Sequence, residues 1–252
     1  MTSVFDLSGQ TVLITGGGTG LGLGMARCLL AANARVVLVG RRRDVLDEAC
    51  AALGAGAFAL TGDVTQVERA SEIVDQAERL AGPVTLLVNN AGIHLKKSAL
   101  DTGDAEFAAV MQTHVMGAFA LTREAGRRMV ERGSGSVVFI SSMAAVMNIP
   151  LVVAYTAAKT AIIGVMRTLC AEWGPHGVRV NAIAPGWIAS PMLERALSGD
   201  PARKKRILDR TPLGRFGEPE DIGWTVVYLA SSAGKFVNGV VLPVDGGAAE
   251  NF

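Results

Sequence analysis

Seven short runs of consecutive apolar, mostly β-branched residues recur along the chain, and longer helix-forming stretches separate most of them. The runs are TVLIT (11–15), RVVLVG (35–40), AFALTG (57–62), TLLVNN (85–90), GSVVFISS (135–142), VRVNAIAP (178–185) and VVLPVDGG (240–247). A strand that is apolar at every position, rather than at every second one, is buried on both faces. QVERASEIVDQAERLAG (66–82) has helical spacing; Asp63, Thr65 and Pro219 stand where helices should start, and Gly54, Gly82 and Gly133 where they should stop. Repeated strand–helix units imply a parallel sheet with helices on both faces. No Pro- or Ser-rich linker, internal repeat or low-complexity tract divides the chain, so 1–252 reads as one α/β domain. The longest departure is 187–218, rich in Pro, Gly, Arg and Lys. It follows the sixth strand, at the strand end where a substrate loop would lie.

Composition narrows the function. With 252 residues, 50% hydrophobic and 19% charged, the chain can bury a large core. A net charge of +1 argues against nucleic acid as a partner. The opening MTSVFDLSGQ lacks the basic and apolar regions of a signal peptide, and no apolar run reaches membrane-spanning length, so no membrane partner is expected. Cys28, Cys50 and Cys170 are odd in number and far apart. That pattern suits neither a metal site nor a disulfide framework, and it points to a reducing cytoplasm.

The first strand runs into TGGGTGLG (15–22). Gly16, Gly20 and Gly22, with Gly18, Thr19 and Leu21 between them, fit a turn whose backbone approaches a pyrophosphate, the next helix aiming its free N–H groups at the phosphates. A glycine pattern alone fits a ligand-free tight turn equally well; its place after the first strand of a βαβ unit favours the phosphate. A second feature lies in AYTAAKTAIIGVM (154–166), where Tyr155 and Lys159 are the only bulky polar groups. Four residues apart on a helix, they share one face. Ammonium groups are seldom placed in apolar surroundings without a reason.

TGGGTGLG, NNAG (89–92), Ser142 after the fifth strand, YTAAK (155–159), PGWIASPM (185–192) and VDGG (244–247) stand in the order found in the short-chain dehydrogenase/reductase family. The chain resembles that family over essentially its whole length. EWGPHGVRVNAIAPGW and GRFGEPEDI make it most similar to the 3-oxoacyl-carrier-protein reductase and gluconate 5-dehydrogenase group. The resemblance implies a Rossmann-type, doubly wound, seven-stranded sheet, a nicotinamide cofactor, a small-molecule ketone or alcohol substrate and a homotetramer. It also implies that Asp63 and Val64 border the adenine, that Asn90, Ala91 and Gly92 border the adjoining ribose, and that Pro185, Gly186, Ile188 and Ser190 face the nicotinamide.

Carbonyl reduction by hydride needs a proton on oxygen, and the reverse reaction needs it removed. Free tyrosine titrates near 10, so lowering it by about three units takes about 4 kcal/mol. One ammonium about 4 Å away supplies about that much at an effective dielectric near 20. Lys159 is therefore read as tuning Tyr155, and by resemblance as holding the cofactor's ribose too. Ser142, again by resemblance, hydrogen-bonds the substrate oxygen; Ser141 reads as structural. Where enzymes of this fold that prefer NAD usually carry an acid, the second strand ends in Gly40 followed by Arg41, Arg42 and Arg43. Guanidinium groups bind a 2′-phosphate that an acid would repel, so NADP(H) is favoured and NAD(H) remains possible. Arg41 and Arg42 are the candidates, whereas Arg43 fits a solvated helix start. The family commonly places an asparagine, organising a water beside the lysine, where this chain has His114. Either the imidazole fills space or it takes over the water; the second reading expects activity to fall below about pH 6.5, the histidine reference value. His94, Met143, Met147 and Trp187 flank the motifs as candidate pocket residues, and Lys96 and Lys97 as attractors of an acidic substrate. The expected reaction interconverts a secondary alcohol and a ketone, the substrate being a sugar acid, a polyol or a 3-oxoacyl compound. A silent nucleotide-binding protein is the alternative, although such a chain usually loses the Ser, Tyr or Lys; an epimerase or dehydratase would need a larger C-terminal region.

Overall fold

Consecutive residues of each central strand point into opposite layers, which is why the strands are apolar at every position. The computed structural model describes residues 3–190, 193–194 and 197–250. Its strands are β1 (Thr11–Thr15), β2 (Arg35–Gly40), β3 (Ala57–Thr61), β4 (Leu86–Asn89), β5 (Gly135–Ile140), β6 (Val178–Pro185) and β7 (Val241–Val244). They form one sheet in the order β3-β2-β1-β4-β5-β6-β7, with every neighbouring pair parallel. Leu13, Val37, Leu87, Phe139 and Val180 face one core, which α3 (Ala70–Ala81), α5 (Ala118–Arg132) and α6 (Val153–Trp173) cover with Ile73, Leu121 and Met166. Val12, Ile14, Leu38, Val88 and Ile183 face the other core. There α1 (Gly20–Ala31), α2 (Arg43–Leu53) and the last helix, Pro219–Ala230, supply Met25, Leu46 and Val226. Two further helices, α4 (Asp104–Met111) and α7 (Pro201–Arg210), lie on the loops, making Pro219–Ala230 α8.

The order in which strands are added across the sheet reverses between β1 and β4. The loops leaving their C-terminal ends part there and open a crevice, the usual ligand position in such sheets.

Several boundaries differ from the sequence reading. β3 stops at Thr61, β4 spans only Leu86–Asn89, β5 ends at Ile140 and β7 is confined to Val241–Val244. The polar or glycine residues at the run ends leave the ladder to build loops. Asp63 and Thr65 do not start a helix: the Asp63 carboxylate accepts from Thr65 N at 2.9 Å and from its hydroxyl at 2.8 Å, closing a local turn. The 66–82 segment opens with a single tight turn at Val67–Arg69 before α3. Pro219 is the first residue of α8, and Gly54, Gly82 and Gly133 end their helices as expected. Between α4 and α5 the chain widens into a π-helical turn, Gln112–Gly117. A Cβ on Gly117 would sit 2.4 Å from Val64 O, so this turn lies directly against the loop after β3. Among the described residues no helix is long and apolar enough to cross a membrane.

Candidate active site

The crevice begins at the glycine turn. Gly16 (φ 66°) and Gly20 (φ 52°) take left-handed backbone that other residues rarely adopt. A Cβ on Gly22 would lie 2.2 Å from Gly16 O, so the first turn of α1 packs on the turn itself. Thr19 caps α1 in extended conformation without a side-chain bond to the helix. A cleft of ≈190 Å³ opens here, lined by Gly16, Gly18 and Thr19, then by Gly40, Arg41 and Arg42, and finally by Asp63, Val64, Ala91 and Gly92. Bare backbone at one end, two guanidinium groups beside it and an apolar middle fit a nicotinamide dinucleotide.

Not every expected residue faces this cleft. Gly20, Leu21 and Gly22 are not among the residues that line it. Asn90 is turned away, its amide donating to Thr15 O at 2.9 Å and Gly16 O at 3.1 Å; it braces the glycine turn. Thr15 Oγ1 accepts from Asn90 N and Ala91 N, both at 3.0 Å, and so ties β1 to the loop after β4. Arg43 is held by Asp47 at 2.8 Å, the solvated helix start expected of it. Pro185, the last residue of β6, and Gly186, Ile188 and Ser190 beyond it form a separate strip. Ile188 is buried and bridges Gly217, Gly186 N donates to Val244 O, and Ser190 Oγ accepts from Leu193 N at 3.1 Å. Positions 191, 192, 195 and 196 of the substrate loop lie outside the described residues. Val45, Leu46, Gly62, Thr65, Ile93 and Thr113 also line the cleft, unforeseen in the sequence. The place of Val45 and Leu46 in the first turn after the Arg run is the signal that could have found two of them.

Ser142, Tyr155 and Lys159 meet beyond the Gly92 end of the cleft. Ser142 follows β5, and its Oγ accepts from Ala144 N at 3.1 Å. Burial pushes the Tyr155 phenol above the ordinary tyrosine value, and the neighbouring Ser142 hydroxyl draws it part of the way back. Lys159 is buried, its Nζ lies 5.4 Å from the Tyr155 ring centre, and it donates to Ile140 O at 2.6 Å. Burial lowers the ammonium to about 7. The expectation that Lys159 lowers Tyr155 is therefore not met in the chain alone. Both groups are desolvated, and the ammonium turns to a carbonyl. Ser141 is structural as read, donating to Lys159 O at 3.0 Å.

His114 lies in the π-helical turn, nearly inaccessible, with its ring edge-on to Tyr155 at 5.4 Å. Its Nε2 is 2.8 Å from Ile93 O and 3.0 Å from Ile93 N. One nitrogen can serve only one of these roles, so the tautomer is either a donor to the carbonyl or an acceptor from the amide. Either way, Nδ1 is buried without a partner, and so is Asn89 Oδ1. Both residues line a cavity of ≈10 Å³ together with Thr15, Thr113 and Lys159. That is about the space one water needs. Burial first, then the charge on Lys159, lower the His114 pKa to about 3. The expected fall in activity below pH 6.5 from charging this ring is thus corrected: the ring stays neutral far below that. A Cβ on Gly92 would meet His114 Cε1 at 2.2 Å, so the imidazole fills the space that glycine leaves. Lys97 is paired with Glu106 at 2.8 Å and is no attractor of acids, whereas Lys96 is exposed.

Residues 16–249 match the family described as enoyl-(acyl carrier protein) reductase. The chain is 42% identical to galactitol 2-dehydrogenase (L-tagatose-forming) of Cereibacter sphaeroides over 97% of both chains. It is 37% identical, over 97% of both, to 2-dehydro-3-deoxy-D-gluconate 5-dehydrogenase of Dickeya dadantii. Its fold matches the crystal structure of a gluconate 5-dehydrogenase from Burkholderia cenocepacia J2315 in complex with NADP and tartrate, with a TM-score of 0.91, 32% identity and 98% of each chain covered. With the glycine turn, the reversal between β1 and β4 and the Ser142–Tyr155–Lys159 cluster already in place, these matches fix the lineage: the chain belongs to the short-chain dehydrogenase/reductase family of nicotinamide-dependent oxidoreductases acting on CH–OH groups, and to its gluconate-dehydrogenase-like group.

Proposed function

We propose that the protein is an NADP(H)-dependent oxidoreductase that interconverts a secondary alcohol and a ketone, with a sugar acid or polyol as substrate. The observation that carries this reading is the clustering of Tyr155, Ser142 and the buried Lys159 ammonium at the end of the cleft that begins at the glycine turn. When bound there, the nicotinamide supplies or takes up a hydride. Tyr155, kept protonated by burial, donates its phenolic proton to the ketone oxygen in the reductive direction and takes it back in the oxidative one. Ser142 holds that oxygen, and the Lys159 charge stabilises the tyrosinate left behind. The cavity between His114 Nδ1, Asn89 and Lys159 has room for one water, through which Lys159 would be reprotonated after its ammonium has returned a proton to the Tyr155 phenolate.

Arg41 and Arg42, lining the cleft where an acid would select NAD(H), support NADP(H). The galactitol, deoxygluconate and gluconate dehydrogenases among the relatives support a hydroxylated substrate over a 3-oxoacyl one. The 187–218 segment, within one domain spanning 1–252, is read as the loop covering that substrate. Free Cys28, Cys50 and Cys170 support a cytoplasmic setting, and exposed Met116, Phe119 and Trp224 support a homotetramer, which sedimentation would test. The deciding experiment is an NADPH-oxidation screen over keto-sugar acids, ketoses and 3-oxoacyl thioesters, with NADP reduction by the matching alcohols. Turnover of a keto-sugar acid or ketose supports the reading; cofactor binding without turnover of any class leaves the silent nucleotide-binding alternative.

A further inference from the structure

Two imidazoles flank the Tyr155 ring, and their surroundings differ. His114 is enclosed and committed to Ile93, as described above. His94 lies with its ring centre 5.3 Å from that of Tyr155, tilted by 49°, and it is exposed. It comes directly after Ala91, Gly92 and Ile93, the last wall of the cofactor cleft. No hydrogen bond engages its ring nitrogens among the described residues. A reacting carbon whose oxygen sits on the Tyr155 hydroxyl must lie beyond that cleft end. Substituents on the neighbouring carbon then come within reach of an imidazole in contact with the same phenol ring.

We propose that His94 is a substrate-binding residue: its imidazole hydrogen-bonds a hydroxyl on the carbon next to the reacting one, which selects polyhydroxylated ketones over alkyl ketones. The proposal rests on the oxidoreductase reading above and adds the group that recognises the substrate. The chemistry matches, because an uncharged imidazole offers one donor and one acceptor, and a hydroxyl is both. Partial burial, then the charges of Arg203 and Lys96, hold His94 below the usual histidine range, so the ring is uncharged at neutral pH. One hydrogen bond of this kind is worth about a factor of ten in binding.

Steady-state kinetics at pH 7.5 with saturating NADPH test it in wild type, His94→Leu and His94→Gln. The probes are L-tagatose, 5-keto-D-gluconate and butan-2-one. His94→Leu should raise KM for the hydroxylated ketones about tenfold while leaving butan-2-one reduction, the Kd for NADPH and the melting temperature unchanged. Glutamine, which also donates and accepts, should restore KM to within about threefold of wild type. A KM for the hydroxylated ketones within twofold of wild type in His94→Leu overturns the contact. So does an equal loss on butan-2-one, since His94 would then be acting through Tyr155. A wild-type enzyme that binds NADPH yet reduces none of the three would instead overturn the oxidoreductase reading, and the contact with it.

Discussion

Lys159 is held where it costs stability. Its ammonium titrates near 7 in the folded chain against 10.5 as its ordinary value, so between those pH values the unfolded chain binds the extra proton. Stability therefore rises with pH across that window by up to about 1.4 kcal/mol per unit. Lys159→Met should melt higher than wild type at pH 7, and the gap should narrow toward pH 10; thermal melts of the apo-proteins read both, and turnover should be lost. Tyr155→Phe separates chemistry from packing, since phenylalanine fills the space but has no proton to give. It should turn over below a tenth of wild type with the NADPH Kd unchanged. His114 obeys the same rule in a more acidic window. Its folded value of about 3 lies below the ordinary 6.5, so its contribution is complete above pH 6.5 and is lost as the pH falls toward 3. If it holds the water, His114→Asn should keep most activity and His114→Leu should lose at least tenfold in kcat at pH 7.5, both still folded. Equal kcat in His114→Leu and wild type would leave the imidazole a space filler. Of these residues, Ser142, Tyr155 and Lys159 were legible from spacing and motif order. The raised Tyr155 value was not, because desolvation depends on what packs around a group rather than on its neighbours in sequence.

At the scale of elements, β2 and β6 were readable to the residue. Strands buried on both faces announce themselves by unbroken apolar runs, and their core positions alternate between the two layers. Loops that the ladder releases were harder: Asp63 resembles a helix cap in sequence, yet its carboxylate is spent on Thr65. The π-helical turn at Gln112–Gly117 left no periodic mark, because one widened turn barely alters helical spacing. The glycine turn, by contrast, carries a sharp test. Gly22→Ala would drive a methyl to within 2.2 Å of Gly16 O, so the turn must move. NADPH affinity should fall at least tenfold, while the Gly16 and Gly20 backbone, already strained for any other residue, cannot absorb the shift. Isothermal titration checks this, and affinity within twofold of wild type would show that the turn does not cradle the dinucleotide.

For the molecule as a whole, the reversal between β1 and β4 makes the cleft a seam between the two halves of the sheet. A ligand bound there stabilises the folded chain in proportion to the logarithm of its saturation. Equal concentrations of NADPH and NADH should therefore raise the melting temperature unequally, NADPH more, and Arg41→Ala should erase most of the difference. Gly40→Asp should reverse it; a Cβ there meets only Leu46 at 3.4 Å, so the acid can enter without disturbing the strand end. The fit of Gly92 against His114 has a consequence for how such a chain can change over generations. The loop after β4 and the turn between α4 and α5 pack together here, where a methyl on residue 92 and the imidazole would compete for the same volume. Alanine at 92 is barred while the histidine stands, and becomes admissible only after a smaller residue has replaced it. The two positions thus form a ratchet: the histidine, once acquired, closes the route by which the loop could lose its glycine, and the order of any later substitutions is set in advance.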